Sequence, residues 1–598
     1  MSLHDDFPAA SPHHGTHGAP ANRALERLFN GSDAAVEVTR FSLPGGRMLY
    51  SASQSADTLY FLRAGRLAVI RRDPGREQQF LGVVKPGEPV GEMALIAGTP
   101  HSATVLAMRD SEILSISRDD FFAAAKRDPA LMAELARLMI MRSRQSLPRT
   151  GSQSPTTFGF AAVSEGPPIR PLLEAIARKI IELGFTVALA GAEASAASAG
   201  WFSTLEDEHD IVLFVAERHE DAWRRICMRQ VDRAFLVGAG DQSPPFHPVS
   251  LIERAFHDHR LMDLLLVHPE GTAQPSGSAA WMDAVPASRL FHLRHGEPAD
   301  LARMARVLTG TSIGLVLSGG GARAYAHIGV IKALYEAGLP IDFIGGASMG
   351  AIIGAGVAAG WPLDQAVDAI RRAFVVSSPL ADMALPMVAM TRGTLVQARL
   401  KDNFGDIEIE DLWLPFYCVS SNLTTGEPHL HGRGRLRDAL RASSSLPGVM
   451  PPVIWESSVL VDGAVTNNLP ADVMRRWHRG PVVGIDVAHA RALHTEDVEA
   501  PKSIWRWLLS GDWKKGPPIV SLLIRAATVS SGRDRTPVVD ACDLMIAPSI
   551  EGVELRDWKA FEPAVEAGYH AMKDALAKLD IPLTDLCRVE PRSDATPL

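Results

Sequence analysis

"FIGGASMGAIIGAGVAAG", residues 343–360, is almost entirely small and apolar, with one hydroxyl near its start, Ser348. A buried hydroxyl costs free energy unless it has a partner or a role. Gly346 and Gly350 frame it in the spacing G-x-S-x-G. Glycines at those two places let a strand turn sharply into a helix without Cβ clashes. The hydroxyl is then pushed into the open, beside helix N–H groups that favour developing negative charge. G-x-x-x-G spacings in the segment suit paired membrane helices. The run is short for a span, however, and a helix packed closely on a sheet needs the same small residues. Taken alone, Ser348 also fits a plain turn serine bonded to its own backbone.

The stretch just before it repeats the theme. "SIGLVLSGGGARAYAHIGVIKALYEAGL" reads as strand, glycine loop and helix, with Gly319, Gly320 and Gly321 in the loop and Arg323 after it. Successive glycines present uncovered N–H groups suited to an oxyanion or a phosphate. A dinucleotide site would want an acidic residue closing the next strand. Asp342 instead opens that strand and Ala324 replaces the last glycine, which favours the oxyanion. A nucleophilic serine also needs a base. "LVDGAVTNNLP" places Asp462 at a strand end before Gly463 and Ala464, where a turn aspartate is the plainer reading of the fragment alone. His489, in "GIDVAHA", completes the chain order of a Ser–Asp–His triad and stays open as a rival base.

The "GGGAR" loop, the "GASMG" elbow and the "DGA" motif together resemble the patatin-like phospholipases. The likeness is closer still to the neuropathy target esterase group of lysophospholipases, through "LARMARVLTG", "IEDLWLPFYCVSSNLTTG", "NNLPADV" and "CMRQVDRAFLVGAGDQ". It covers essentially everything from residue 160 onward. The resemblance implies a Ser–Asp dyad without histidine, with Ser348 as nucleophile forming an acyl-enzyme and Asp462 as base. It implies an oxyanion hole from Gly319, Gly320 and Gly321 with Arg323 nearby, no metal or organic cofactor, and phospholipid or lysophospholipid substrates. A catalytically silent lipid-binding regulatory protein is the alternative from another class; retention of Ser348, Asp462 and the glycine loop argues against it.

The whole chain, 598 residues with a net charge of −9, is too long for one domain and too acidic for nucleic acid as its main partner. Its four cysteines, Cys227, Cys418, Cys542 and Cys587, are scattered without C-x-x-C spacing, which fits a reducing, cytoplasmic setting and offers no zinc site. Residues 1–22 lack the pattern of a signal peptide and read as a disordered tail. Residues 23–147 give short alternating runs split by turns, then helical patterns, predicting a β-barrel or sandwich with helices after it. "PRTGSQSPTT" marks a linker, 148–160. Residues 161–305 alternate apolar runs and helical stretches, a middle α/β region without a Walker lysine. Residues 311–598 predict a three-layer α/β/α catalytic domain with its core at 315–475.

"GEMALIAGTPHSATVLA" (91–107) resembles a cyclic-nucleotide-binding domain. The resemblance implies a nucleotide-like pocket at Gly91, Glu92 and His101, with Glu92 on the ribose. His101 stands where that family has an arginine for the cyclic phosphate, and a permanently charged bidentate fork is lost with it. A scaffold, or a domain with another ligand, is therefore expected. Lipid substrates imply a membrane surface, so a peripheral association is expected as well. "IWRWLLSGDWKKG" (504–516), with Trp505, Trp507 and Trp513 beside Lys514 and Lys515, suits a membrane interface or interdomain packing equally. "PLADMALPMVAMTRGTLV" (379–396) reads as core, with an acyl groove of flexible methionines as the alternative.

Overall fold

The computed structural model describes residues 23–30, 36–71, 79–145, 156–245, 261–285, 287–376, 381–384, 388–488, 536–550, 552–555 and 557–586. The chain divides into two compact units, residues 1–153 with 196–207, and residues 154–195 with 208–598.

The first unit is built on two four-stranded antiparallel sheets. One pairs Thr39–Leu43, Ser111–Ser117, Thr58–Ala64 and Pro89–Val90; the other pairs Met48–Tyr50, Thr104–Ala107, Leu67–Arg71 and Gln79–Val84. Alternation puts Leu59 and Phe61 of one strand against Leu25, Phe121 and Leu135 of the flanking helices. Helix Arg118–Arg127 starts where the Ser117 side chain accepts the Asp120 N–H at 3.1 Å. Asp119 and Asp120 in its first turn, with Lys126 and Arg127 in its last, complement its dipole.

The second unit holds two sheets. In the first, β1 (Thr157–Ala162), β2 (Val187–Ala190), β3 (Ile211–Ala216), β4 (Arg233–Ala239), β5 (Leu261–His268) and β6 (Arg289–Arg294) run parallel in the order β2-β3-β1-β4-β5-β6. β1, β3 and β4 are buried along their whole length, so their sequences are continuous apolar runs, as helix-covered parallel strands require. Helix α1 (Ile169–Glu182) lays Ile169, Leu172, Leu173, Ile176 and Ile180 on the core at helical spacing. β1 begins inside the segment whose composition predicts a linker through 160. The Ser/Pro/Thr run ends at Thr157, and Phe158 and Phe160 already point into the core.

Helix α2 (Pro298–Thr309) crosses from that sheet to the next, with proline at its start and Gly310 in a left-handed cap at its end. Then come β7 (Gly314–Leu317), α3 (Ala326–Glu336), β8 (Phe343–Ala347), α4 (Ser348–Ala358), β9 (Phe416–Asn422), β10 (Pro428–His431), α5 (Leu436–Ser443), β11 (Val453–Trp455), β12 (Ser458–Asp462), β13 (Val482–Ile485), β14 (Leu544–Ile546) and α6 (Phe561–Ala577). The sheet order is β11-β12-β9-β8-β7-β13-β14, with β10 on the flank of β9; β7, β8, β9, β13 and β14 are parallel and β12 returns antiparallel to β9. Leu315 and Leu317 feed a core under α3, α4 and α6, while Val316 between them feeds a second core on the other face. The sheet is therefore the middle of three layers. The second core also takes in Phe160 and Leu265, so both sheets of this unit share it.

Candidate active site

Ser348 begins α4 directly after β8, and its backbone is left-handed, φ 52°. A non-glycine residue rarely adopts that conformation, and it persists only where the surroundings fix it. Here the Ser348 N–H donates to Ser443 Oγ at 2.9 Å, and Ser443 Oγ donates to the Val419 carbonyl at 2.6 Å. The spacing G-x-S-x-G follows from the neighbouring strand: a Cβ on Gly346 or on Gly350 would lie 2.6 Å from the Leu317 carbonyl oxygen. Only hydrogens fit between the elbow and the end of β7.

Asp462 ends β12, one strand-width beyond β9, and is 1 % exposed. Ser348 Oγ donates to its Oδ2 at 2.6 Å, and the Ala464 N–H donates to its Oδ1 at 2.9 Å. Its own N–H donates to the Ser445 carbonyl at 3.0 Å. Burial raises its pKa from 3.8 to about 6, against the lowering effect of the bonds from Ser348 and Ala464. Gly463 and Ala464 form the turn that supplies the second of those bonds.

The glycine loop lies beside Ser348. A Cβ on Gly319 would sit 2.9 Å from Ser348 Cβ and 2.8 Å from Asn468 Oδ1. Asn468 Nδ2 donates to the Gly319 carbonyl at 3.3 Å, and the Gly319 N–H donates to the Asn468 carbonyl at 3.4 Å. The amides of Gly320 and Gly321 meet no acceptor among the described residues. Below them, Ser318 is held by the Val487 N–H on its Oγ at 2.9 Å and by His327 Nε2 on its carbonyl at 2.8 Å. Burial lowers the His327 pKa to about 4, so the ring is a neutral donor there. Arg323 Nε donates to the Val553 carbonyl at 2.7 Å and the Ala322 N–H to the Leu555 carbonyl at 2.9 Å, tying the loop to residues 553–555.

Sequence reasoning named Ser348, Asp462, Gly346, Gly350, Gly319, Gly320, Gly321 and Arg323, and the structure gathers them at the ends of β7, β8 and β12. It did not name Ser443, Ser445 or Asn468. Their signal is faint: "SSSLPG" and "NNLP" look like ordinary loop chemistry until the chain is folded. His489 and the tryptophans and lysines of 504–516 lie outside the described residues. In 379–396, Met390 is buried in the core, whereas Met383 is exposed.

In the first unit, Gly91 (φ 90°) opens helix Glu92–Ala97, and a Cβ there would lie 3.3 Å from His101 Cε1. Glu92 and His101 are both buried. The His101 ring stacks on Tyr50 with centroids 3.7 Å apart, and burial lowers its pKa against the pull of Asp57.

Residues 315–475 match the patatin-like phospholipase family, so the site sits in a patatin-like domain. Residues 40–128 match the cyclic nucleotide-binding domain and 187–297 the neuropathy target esterase family P-loop like domain. An uncharacterized NTE family protein of Mycobacterium bovis is 32% identical over 92% of this chain and 93% of its own length. The neuropathy target esterase sws of Drosophila melanogaster is 30% identical over 92% of this chain. The chain belongs to the NTE family. It spans 43% of the length of the fly relative. A likeness to the Thermus thermophilus catabolite activator protein, 23% identical with a TM-score of 0.19 over 28% of this chain and 68% of that one, is too slight to bear on function.

Proposed function

We propose that this protein hydrolyses the carboxylic esters of lysophospholipids or phospholipids, with Ser348 as nucleophile and Asp462 as base. The observation that carries the reading is the 2.6 Å bond from Ser348 Oγ to a buried carboxylate with a pKa of about 6. A base works best when its pKa lies near the working pH, and burial supplies that shift here. As Oγ attacks the ester carbonyl carbon, its proton passes to Asp462 Oδ2. The oxyanion is met by the Gly320 and Gly321 amides and the N-terminus of α4. Collapse breaks the acyl–oxygen bond, Asp462 protonates the departing alkoxide, and the acyl group stays on Ser348. Water then gives a proton to Asp462 and attacks the acyl carbon; collapse returns the proton to Oγ and frees the fatty acid. Neither half-reaction calls on a metal or organic cofactor.

A fluorophosphonate probe tests the nucleophile. Labelling of the wild type that is lost in Ser348→Ala is expected. No labelling of the folded wild type would instead support a silent lipid-binding protein. His489→Ala should keep most esterase activity and Asp462→Asn should lose nearly all; the reverse pattern would move the base to His489.

For the first unit we propose a scaffold, or a pocket for another ligand, rather than a cyclic-nucleotide sensor. His101 supplies no permanent charge where a cyclic phosphate would sit, and its ring already stacks on Tyr50. Calorimetric titration should detect neither cyclic AMP nor cyclic GMP; binding tighter than about 1 µM would overturn this. A lipid substrate also brings the protein to a membrane surface. No helix among the described residues is long and apolar enough to cross one.

A further inference from the structure

Helix α4 has two ends. Ser348 occupies the first; the second, at Val357 and the turn through Trp361 that follows α4, borders a cleft of about 510 Å³. The far wall comes from the end of β6 and from α2, which turn Arg294, Arg303 and Arg306 toward it. Asp300 accepts from Arg294 at 2.8 Å and pairs with Arg303 at 3.0 Å. Asp342 accepts from Arg306 at 2.9 and 2.6 Å. Asp300 and Asp342 thus take up much of the donor capacity of the three guanidinium groups, and Glu297 adds a further negative charge near Arg294. Asp300 has no exposed surface and does not line the cleft, so its arginines stand in front of it.

Arg303 is the telling member. Its side chain is 8 % exposed. One terminal nitrogen donates to the His292 carbonyl at 2.6 Å and pairs with Asp300. Its other terminal nitrogen and its Nε have no hydrogen-bond acceptor among the described residues. Both open nitrogens reach the cleft rather than being sealed in the core, so water or an anion there can complete them. The rest of the lining is largely apolar and aromatic, with Leu339, Ile341, Val357, Trp361, Trp413 and Leu414, and the Asp342 carboxylate, held by Arg306, also borders the cleft. Arg294 lies 4.4 Å over the Trp413 ring, which holds that wall rigid.

We propose that this cleft binds a single-chain amphiphile with an anionic head, a carboxylate or a phosphate. The head takes the open donors of Arg303 and Arg306, and the chain lies along Trp361 and Leu339. Its volume falls within the range of small-molecule sites. A water-soluble anion alone would leave the apolar wall uncovered, and a neutral chain would leave the guanidinium donors to water. Binding there needs no turnover at Ser348.

Photo-crosslinking of the full chain tests this, with diazirine-tailed dodecanoate, dodecyl phosphate and, as the neutral control, dodecanol. The expected result is labelling of peptides spanning 339–341 or 357–361 by at least one anionic probe and not by the alcohol. Labelling by dodecanoate alone assigns a fatty-acid head, and labelling by the phosphate alone assigns a phosphomonoester head. Ala299 lines the cleft, is exposed and carries no ion pair, so Ala299→Trp should fill the space and abolish the label. Arg303→Lys keeps the charge but loses the fork, and should weaken labelling by about tenfold. Absence of the label with both anions, equal labelling by dodecanol, or full labelling in Ala299→Trp would each overturn the proposal.

Discussion

At the scale of single residues, the burial of Asp462 has two consequences of opposite sign. As the proposed base the carboxylate must be ionised, so kcat/KM should fall as the pH drops through about 6, approaching about tenfold per pH unit below it. A profile flat down to pH 5 would contradict a base at this site. For stability the raised pKa is a cost. The folded state holds the proton up to about pH 6 and the unfolded chain only to about 3.8. The stability carried by the protonated carboxyl is therefore fully present below about pH 4, and the cost of the buried charge sets in as the pH rises from about 4 to about 6. Asp462→Asn carries no such charge, so its thermal midpoint should exceed that of the wild type at pH 7. The difference should be on the order of 2–3 kcal/mol at most, and should vanish near pH 4. Equal midpoints at both pH values would contradict the buried-charge reading. Gly319 gives a third test at this scale. A methyl there meets both Ser348 Cβ and Asn468 Oδ1, so Gly319→Ala should lower kcat by roughly 100-fold, measured on a soluble ester, while the fold survives.

Among the elements, the end of α5 and the turn after it tie Ser348 and Asp462 together. Ser443 holds the Ser348 amide and Ser445 holds the Asp462 amide. A strained left-handed serine needs such a clamp. Ser443→Ala should therefore lower kcat by about tenfold with little change in KM, and Ser443→Thr, which keeps the hydroxyl, should restore most of it. A matched rise in KM would place Ser443 in substrate binding instead. The elbow was legible because Gly346 and Gly350 are dictated by the Leu317 carbonyl at the end of the neighbouring strand, a contact that leaves a spacing in the sequence. The glycine loop was legible as three successive glycines. The clamp was not legible, since a serine that accepts one amide proton and donates to one carbonyl carries no pattern of its own. The same holds for the crossing of α3 and α6. Gly329 sits against the Val565 carbonyl and Gly568 against the Ala326 carbonyl, each too close for a side chain. Neither glycine stands out in its helix, yet Gly568→Val should destabilise the unit by about 2 kcal/mol or more in a denaturant titration.

Across the whole molecule, alternation and apolar runs predicted the right kinds of layer, an antiparallel unit first and parallel sheets after it. They did not show that the two parallel sheets share a core. That depends on which face of Phe160, Leu265 and Val316 meets which, and sequence spacing does not record it. Nor did they show the arginine-lined cleft, whose members come from β6, α2 and the end of α4. The enzyme reading nevertheless turns on one bond between residues far apart in the chain. Fatty-acid release from lysophosphatidylcholine by the wild type, Ser348→Ala and Asp462→Asn tests it most directly. Release by the wild type and abolition in both folded variants is the predicted result. Release that persists in Asp462→Asn, or none from the folded wild type across several lysolipids, would contradict the account.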